Sequence, residues 1–69
     1  MKSNYYVNQI AQSNGDHEVH EETCFNLPAF QHRKHLGEFE TCHGAVKKAK
    51  ESYSTADGCK YCSPDCHTR

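Results

Sequence analysis

The stretch HEVHEETC, residues 17–24, decides how the rest of the chain is read. Its first half alternates around Val19 with the period of a half-buried strand. Its second half sets His20 and Cys24 with three residues between them. At that spacing an imidazole and a thiolate can share one metal ion as a strand gives way to a loop. Half a metal site needs another half. The closing stretch GCKYCSPDCHTR, residues 58–69, supplies it with Cys59-Lys60-Tyr61-Cys62, a C-x-x-C turn behind Gly58. Two thiolates so spaced can bind one tetrahedral ion with Zn–S bonds of about 2.3 Å. The expected metal set is therefore His20, Cys24, Cys59 and Cys62, holding Zn2+.

Each member has a rival. Strand alternation sends His17 to the side of Val19 and His20 to the other, but a strand ending at His20 leaves that parity open. Cys66 could replace His20 in an all-thiolate site. Cys42 reads first as a small buried hydrophobe on a helix, with a disulfide to Cys66 as the alternative in an oxidised sample. The C-x-x-C pair also has a redox reading, a thiol enzyme using Cys59 and Cys62. Redox pairs usually open a helix after a strand, where the helix N-terminus lowers the thiol pKa. Here the motif follows a helix and runs into Pro64, which speaks against that use.

Composition says why a staple is needed. The chain has 69 residues, 35% of them hydrophobic, and no Trp, with a mean hydropathy of -0.98. Ordering so short a chain costs on the order of 100 kcal/mol, at ~1.5 per residue, and a small core hardly offsets it. The candidates for burial are Val7, Ile10, Val19, Phe25, Leu27, Phe30, Leu36, Phe39, Val46 and Tyr53. Five cysteines and six histidines offer the means of closure. An odd cysteine count argues for metal over complete disulfide pairing.

The N-terminal stretch YYVNQIAQ, followed by SNGD, reads as a strand and a turn, so Tyr5–Gln12 and Asp16–His20 form an expected β-hairpin. LGEF, residues 36–39, suits a third short strand. In TCHGAVKKAKESY, residues 41–53, an apolar stripe of Cys42, Ala45, Val46, Ala49 and Tyr53 recurs at helical spacing. Thr41 is the expected N-cap, the helix should stop near Ser54, and Gly58 should take a positive φ. The fold class expected is α+β: an N-terminal hairpin with a third short strand, packed on one α-helix and stapled by zinc. Residues 1–69 read as a single small zinc-binding domain.

A formal net charge of -1 gives no whole-chain footprint for nucleic acid. The lysines at 47, 48 and 50 and the acids at 16, 18, 21 and 22 read as solvated surface. QHRKH, residues 31–35, reads as a solvated loop, because it lacks a Gly-rich phosphate cradle. Among the aromatic residues, Tyr61 is the one expected in solvent and the others are expected in the core. No apolar run suits a signal peptide or a membrane span, and a cytoplasmic protein with reduced thiols is expected.

The hairpin, HEVHEETC, EFETCHGAVKKA and GCKYC, taken together, resemble the small zinc domain of the bacterial DNA methylphosphotriester repair protein and stand-alone bacterial metal-binding domains of that type. From Tyr5 to Thr68 the chain also resembles a group of short, uncharacterised bacterial proteins carrying YYVN, NGDHEVH, GCxxC and CHT in that order. The first resemblance implies a zinc site at His20, Cys24, Cys59 and Cys62. In the repair domain a cysteine at the first ligand position accepts the methyl group; His20 stands there in this chain, and imidazole is no comparable acceptor. The function expected is a structural-zinc binding or interaction module rather than an enzyme. Its expected partner is a protein, with nucleic acid the poorer fit and no membrane. The competing classes are a thiol redox protein and a disulfide-stapled domain without metal.

Overall fold

Tyr5 and Val7 alternate with Asn4, Tyr6 and Asn8, and that alternation makes the first strand, β1 (Ser3–Asn8), with Tyr5 and Val7 buried. The chain is described here by a computed structural model covering residues 1–68. β2 (His17–Glu21) pairs antiparallel with β1, setting Tyr5 opposite Glu21, Tyr6 opposite His20 and Val7 opposite Val19. The expected hairpin is present, but β1 ends at Asn8 rather than Gln12. Asn8 Oδ1 accepts the Ile10 N–H at 2.9 Å, a local turn that competes with the ladder. Ile10 is consequently exposed. The loop closes at Gly15, whose φ of 90° suits glycine.

The third strand, β3 (Arg33–Phe39), lies antiparallel on the other side of β1 and starts at Arg33, not Leu36. The pairing slips between Tyr5 and Tyr6, opposite Gly37 with its φ of 118°, so glycine accommodates a bulge there. His35 thereby belongs to a strand rather than a loop, with Nε2 2.8 Å from Asn4 Oδ1.

The helix, α1 (Cys42–Ala49), buries Cys42, Ala45 and Ala49. It ends before the expected Ser54, because the ladder tightens. The Glu51 N–H donates to the Lys48 carbonyl at 3.1 Å and the Ser52 N–H to the Ala49 carbonyl at 3.0 Å, both short-span bonds of a terminating turn. Thr41 is extended and precedes the helix, but its side chain makes no capping hydrogen bond. Gly44 has a packing role that propensity alone misses. A Cβ there would lie 2.9 Å from Phe39 Cδ1, so glycine lets the Phe39 ring sit against the helix.

A fourth strand was not foreseen. β4 (Ala56–Gly58) pairs parallel to β2, with Val19 opposite Gly58, giving the order β3-β1-β2-β4. Gly58 does not take the expected positive φ. Its lack of a side chain serves close packing instead: a Cβ would meet Cys66 Cβ at 2.6 Å and the Ser63 carbonyl oxygen at 2.8 Å. The segment after β4 therefore lies directly on that glycine.

The core is small and built of small residues. Tyr5, Val7 and Val19 of the sheet meet Cys42, Ala45, Ala49, Ala56 and Cys66, with Leu36, Phe39, Val46 and Tyr53 at the margin. Phe25 and Phe30, expected inside, are 81% and 80% exposed. They belong to the connection between β2 and β3, which the helix does not cover. Among the described residues no helix is long and apolar enough to cross a membrane.

Candidate metal centre

The last turns of β2 and the segment after β4 converge because β2 and β4 are neighbours. The Cys59 N–H donates to the Val19 carbonyl at 3.0 Å, extending the parallel pairing one step past β4. That bond delivers the C-x-x-C turn to the end of β2. The Ser63 N–H donates to the Cys59 carbonyl at 2.8 Å and closes the turn. On the other side, the Cys24 N–H donates to the Glu21 carbonyl at 2.9 Å, folding the chain back just past β2.

The ligand atoms of His20, Cys24, Cys59 and Cys62 consequently all lie within 4.8 Å of one another, and the group could hold a metal ion. His20, Cys24 and Cys59 are buried, and Cys62 is half-buried. Cys24 Sγ and Cys59 Sγ are 3.9 Å apart. Two thiolates on a tetrahedral ion with bonds of about 2.3 Å stand about 3.8 Å apart, so the separation suits a shared zinc.

The surroundings of the donors fit the same chemistry. The Glu21 N–H points to Cys62 Sγ at 3.3 Å and the Asn26 N–H to Cys24 Sγ at 3.4 Å. Such N–H donors offset the negative charge of metal-bound thiolates. His20 is 1% exposed. Its Nε2 lies 3.4 Å from Glu18 Oε1, while its Nδ1 is buried with no hydrogen-bond partner among the described residues. A carboxylate on one ring nitrogen and a bare lone pair on the other is the usual arrangement of a metal-ligating histidine.

Without an ion these groups sit badly. Burial pushes the Cys24 thiol up to about 12, with Cys62 and Cys59 adding to the rise. Burial likewise raises Cys59, although N–H bonds from Cys62 and Tyr61 partly oppose it. Burial lowers the His20 pKa against the opposing pull of Glu18. A cation at their centre would offset the penalty on the thiolates and needs His20 neutral, the form that burial already favours.

The rivals are placed elsewhere. His17 Nδ1 is 2.9 Å from the Asn8 carbonyl oxygen, and its ring stacks on Tyr53 at 4.0 Å. Cys66 is bonded to Cys42, with the sulfurs 2.05 Å apart. Cys42 is therefore not the free buried thiol first expected; the turn Pro64–Cys66 brings a second sulfur against the start of α1. Glu18 had read as plain surface. Its signal was available, since residues two apart on a strand share a face and Glu18 precedes His20 by two. Asp57 had no such signal. Its carboxylate accepts the Thr68 N–H at 3.0 Å and the Thr68 hydroxyl at 2.8 Å, anchoring the end of the chain. Comparison with protein-family models, curated proteins and solved structures finds no match to this chain.

Proposed function

We propose that the chain is a small binding module whose fold is closed by one structural zinc ion held by His20, Cys24, Cys59 and Cys62. The observation that carries this reading is His20: buried, braced at Nε2 by Glu18, and with Nδ1 unpartnered among the described residues, in a group with three sulfurs. Three soft thiolates and one imidazole in tetrahedral reach favour zinc over hard cations. Four protein ligands leave no position for an activated water, so the role of the ion is structural rather than hydrolytic. The sequence resemblance to the zinc domain of the methylphosphotriester repair protein favours the same four ligand positions, with His20 standing where that domain has a cysteine.

The thiol redox reading needs a nucleophile with a lowered pKa, whereas burial raises Cys59. Zinc and the disulfide use different cysteines, so they coexist rather than compete. A near-neutral charge favours a protein partner over nucleic acid. Native mass spectrometry of protein purified without added metal tests the reading. One zinc per chain, with loss of the sheet's circular dichroism on chelation, is the expected result. A metal-free chain that keeps its fold would sink the proposal.

A further inference from the structure

A second ligand group lies outside the centre just described. Cys42 and Cys66, now joined, and His43 place their ligand atoms within 4.8 Å of one another. They adjoin a cleft of about 250 Å³ that Cys42 and His43 line together with Glu40 and Asp65. We propose that reduction of the Cys42–Cys66 bond turns this group into a second divalent-metal site, with two thiolates and the His43 imidazole as ligands and one coordination position open to the cleft.

Chemically, a dithiol or phosphine reductant supplies an electron pair to the sulfur–sulfur bond, which breaks. A dithiol gives its two protons to the sulfurs and leaves as its disulfide; with a phosphine, one water gives the two protons to the sulfurs and its oxygen to phosphorus, and the reductant leaves as the phosphine oxide. A zinc ion then displaces those two protons into solvent. Both sulfurs are buried, at 7% and 8% exposure, so the reduced thiols stay side by side in the fold. The Cα atoms are 6.3 Å apart, which allows side-chain rotation to open the sulfurs to the about 3.8 Å that two thiolates on one zinc require.

Two independent features favour thiolate and metal there. Cys42 is the first residue of α1, the Thr41 side chain makes no capping bond, and no acidic residue lies in the first turn. The free N–H groups of that turn favour negative charge on Cys42. His43 is exposed and makes no hydrogen bond or ion pair among the described residues, so its imidazole gives up no partner on binding. The cleft carboxylates of Glu40 and Asp65, or water, can fill the fourth position. Two cysteines, one histidine and an exchangeable fourth ligand make an open site, unlike the closed set at His20.

The test is native mass spectrometry of the full chain with zinc ions as the only added ligand, before and after reduction by a phosphine. Reduction is expected to raise the zinc count by one, from one to two if the first centre is filled. His43→Ala, an exposed substitution that leaves the fold intact, is expected to abolish that increment and leave the count before reduction unchanged. An unchanged or lower count after reduction overturns the proposal, as does an equal rise in the His43→Ala variant. The count before reduction reports the first centre alone, so failure of one reading is told apart from failure of the other.

Discussion

The turn that carries Cys59 and Cys62 and the turn that carries Cys66 follow one another directly, yet their sulfurs are housed in opposite ways. Cys62 receives an N–H from Glu21, and Cys59 stands 3.9 Å from Cys24 in a group with His20. Cys66 instead packs with Tyr5, Val7, Val19 and Ala45 in the apolar core and is bonded to Cys42. N–H donors and an imidazole suit thiolates on an ion. Apolar packing suits a neutral disulfide. Neighbours, rather than spacing along the chain, separate the two fates.

Removing a ligand is the hardest blow to that contrast. Cys59→Ser is expected to abolish zinc binding and unfold the chain, because metal binding to such sets contributes roughly 10–16 kcal/mol of apparent free energy. Circular dichroism with metal analysis reads both. Breaking the other link should do less. Cys42→Ala with Cys66→Ala opens a loop of sequence separation 24 and should lower stability by roughly 3–4 kcal/mol on the loop-entropy account. Denaturant melts of the zinc-loaded variant measure it, and a loss as large as that of Cys59→Ser would erase the distinction drawn here.

A finer probe leaves every sulfur in place. Glu18→Gln removes the carboxylate beside His20 Nε2 and should weaken zinc binding about 10- to 100-fold, as loss of such a brace does elsewhere. Competition with a chromophoric chelator reads the change. A last probe is acid on the zinc-loaded chain. Protons compete with the ion for thiolate and imidazole, so zinc should leave and the fold should be lost as pH falls. The double cysteine variant should release zinc over the same pH range, read by circular dichroism with metal analysis, because its four ligands are untouched.

Much of this was legible from residues alone, and the reasons for the rest are physical. The hairpin showed because Val7 and Val19 sit in alternating stretches. His20, Cys24, Cys59 and Cys62 stood out because metal ligands come in short fixed spacings. β4 has only three residues and no period to detect. Gly58 looked like a helix terminator because a glycine's contacts are invisible in sequence; its role comes from Cys66 lying upon it. The exposure of Phe25 and Phe30 defied hydrophobicity, since a core filled by alanines and cysteines is too small to admit them. The choice of Cys42 for Cys66 required knowing that the turn Pro64–Cys66 folds back onto the start of α1.

One consequence of the proposed zinc link follows from the order of the cysteines, which runs Cys24, Cys42, Cys59, Cys66. The two closures interleave. With zinc bound, a protease cut beside the exposed Phe30 leaves two fragments that share no covalent bond and are joined by the ion and by the β1–β3 and β2–β4 pairing, so a chelator in denaturant, without reductant, should part them. A cut beside Glu51 leaves fragments joined by the ion and by the Cys42–Cys66 bond, so neither a chelator nor a reductant alone should suffice. A nicked chain thus reports, by what releases its pieces, which of the two links each part of the molecule depends on.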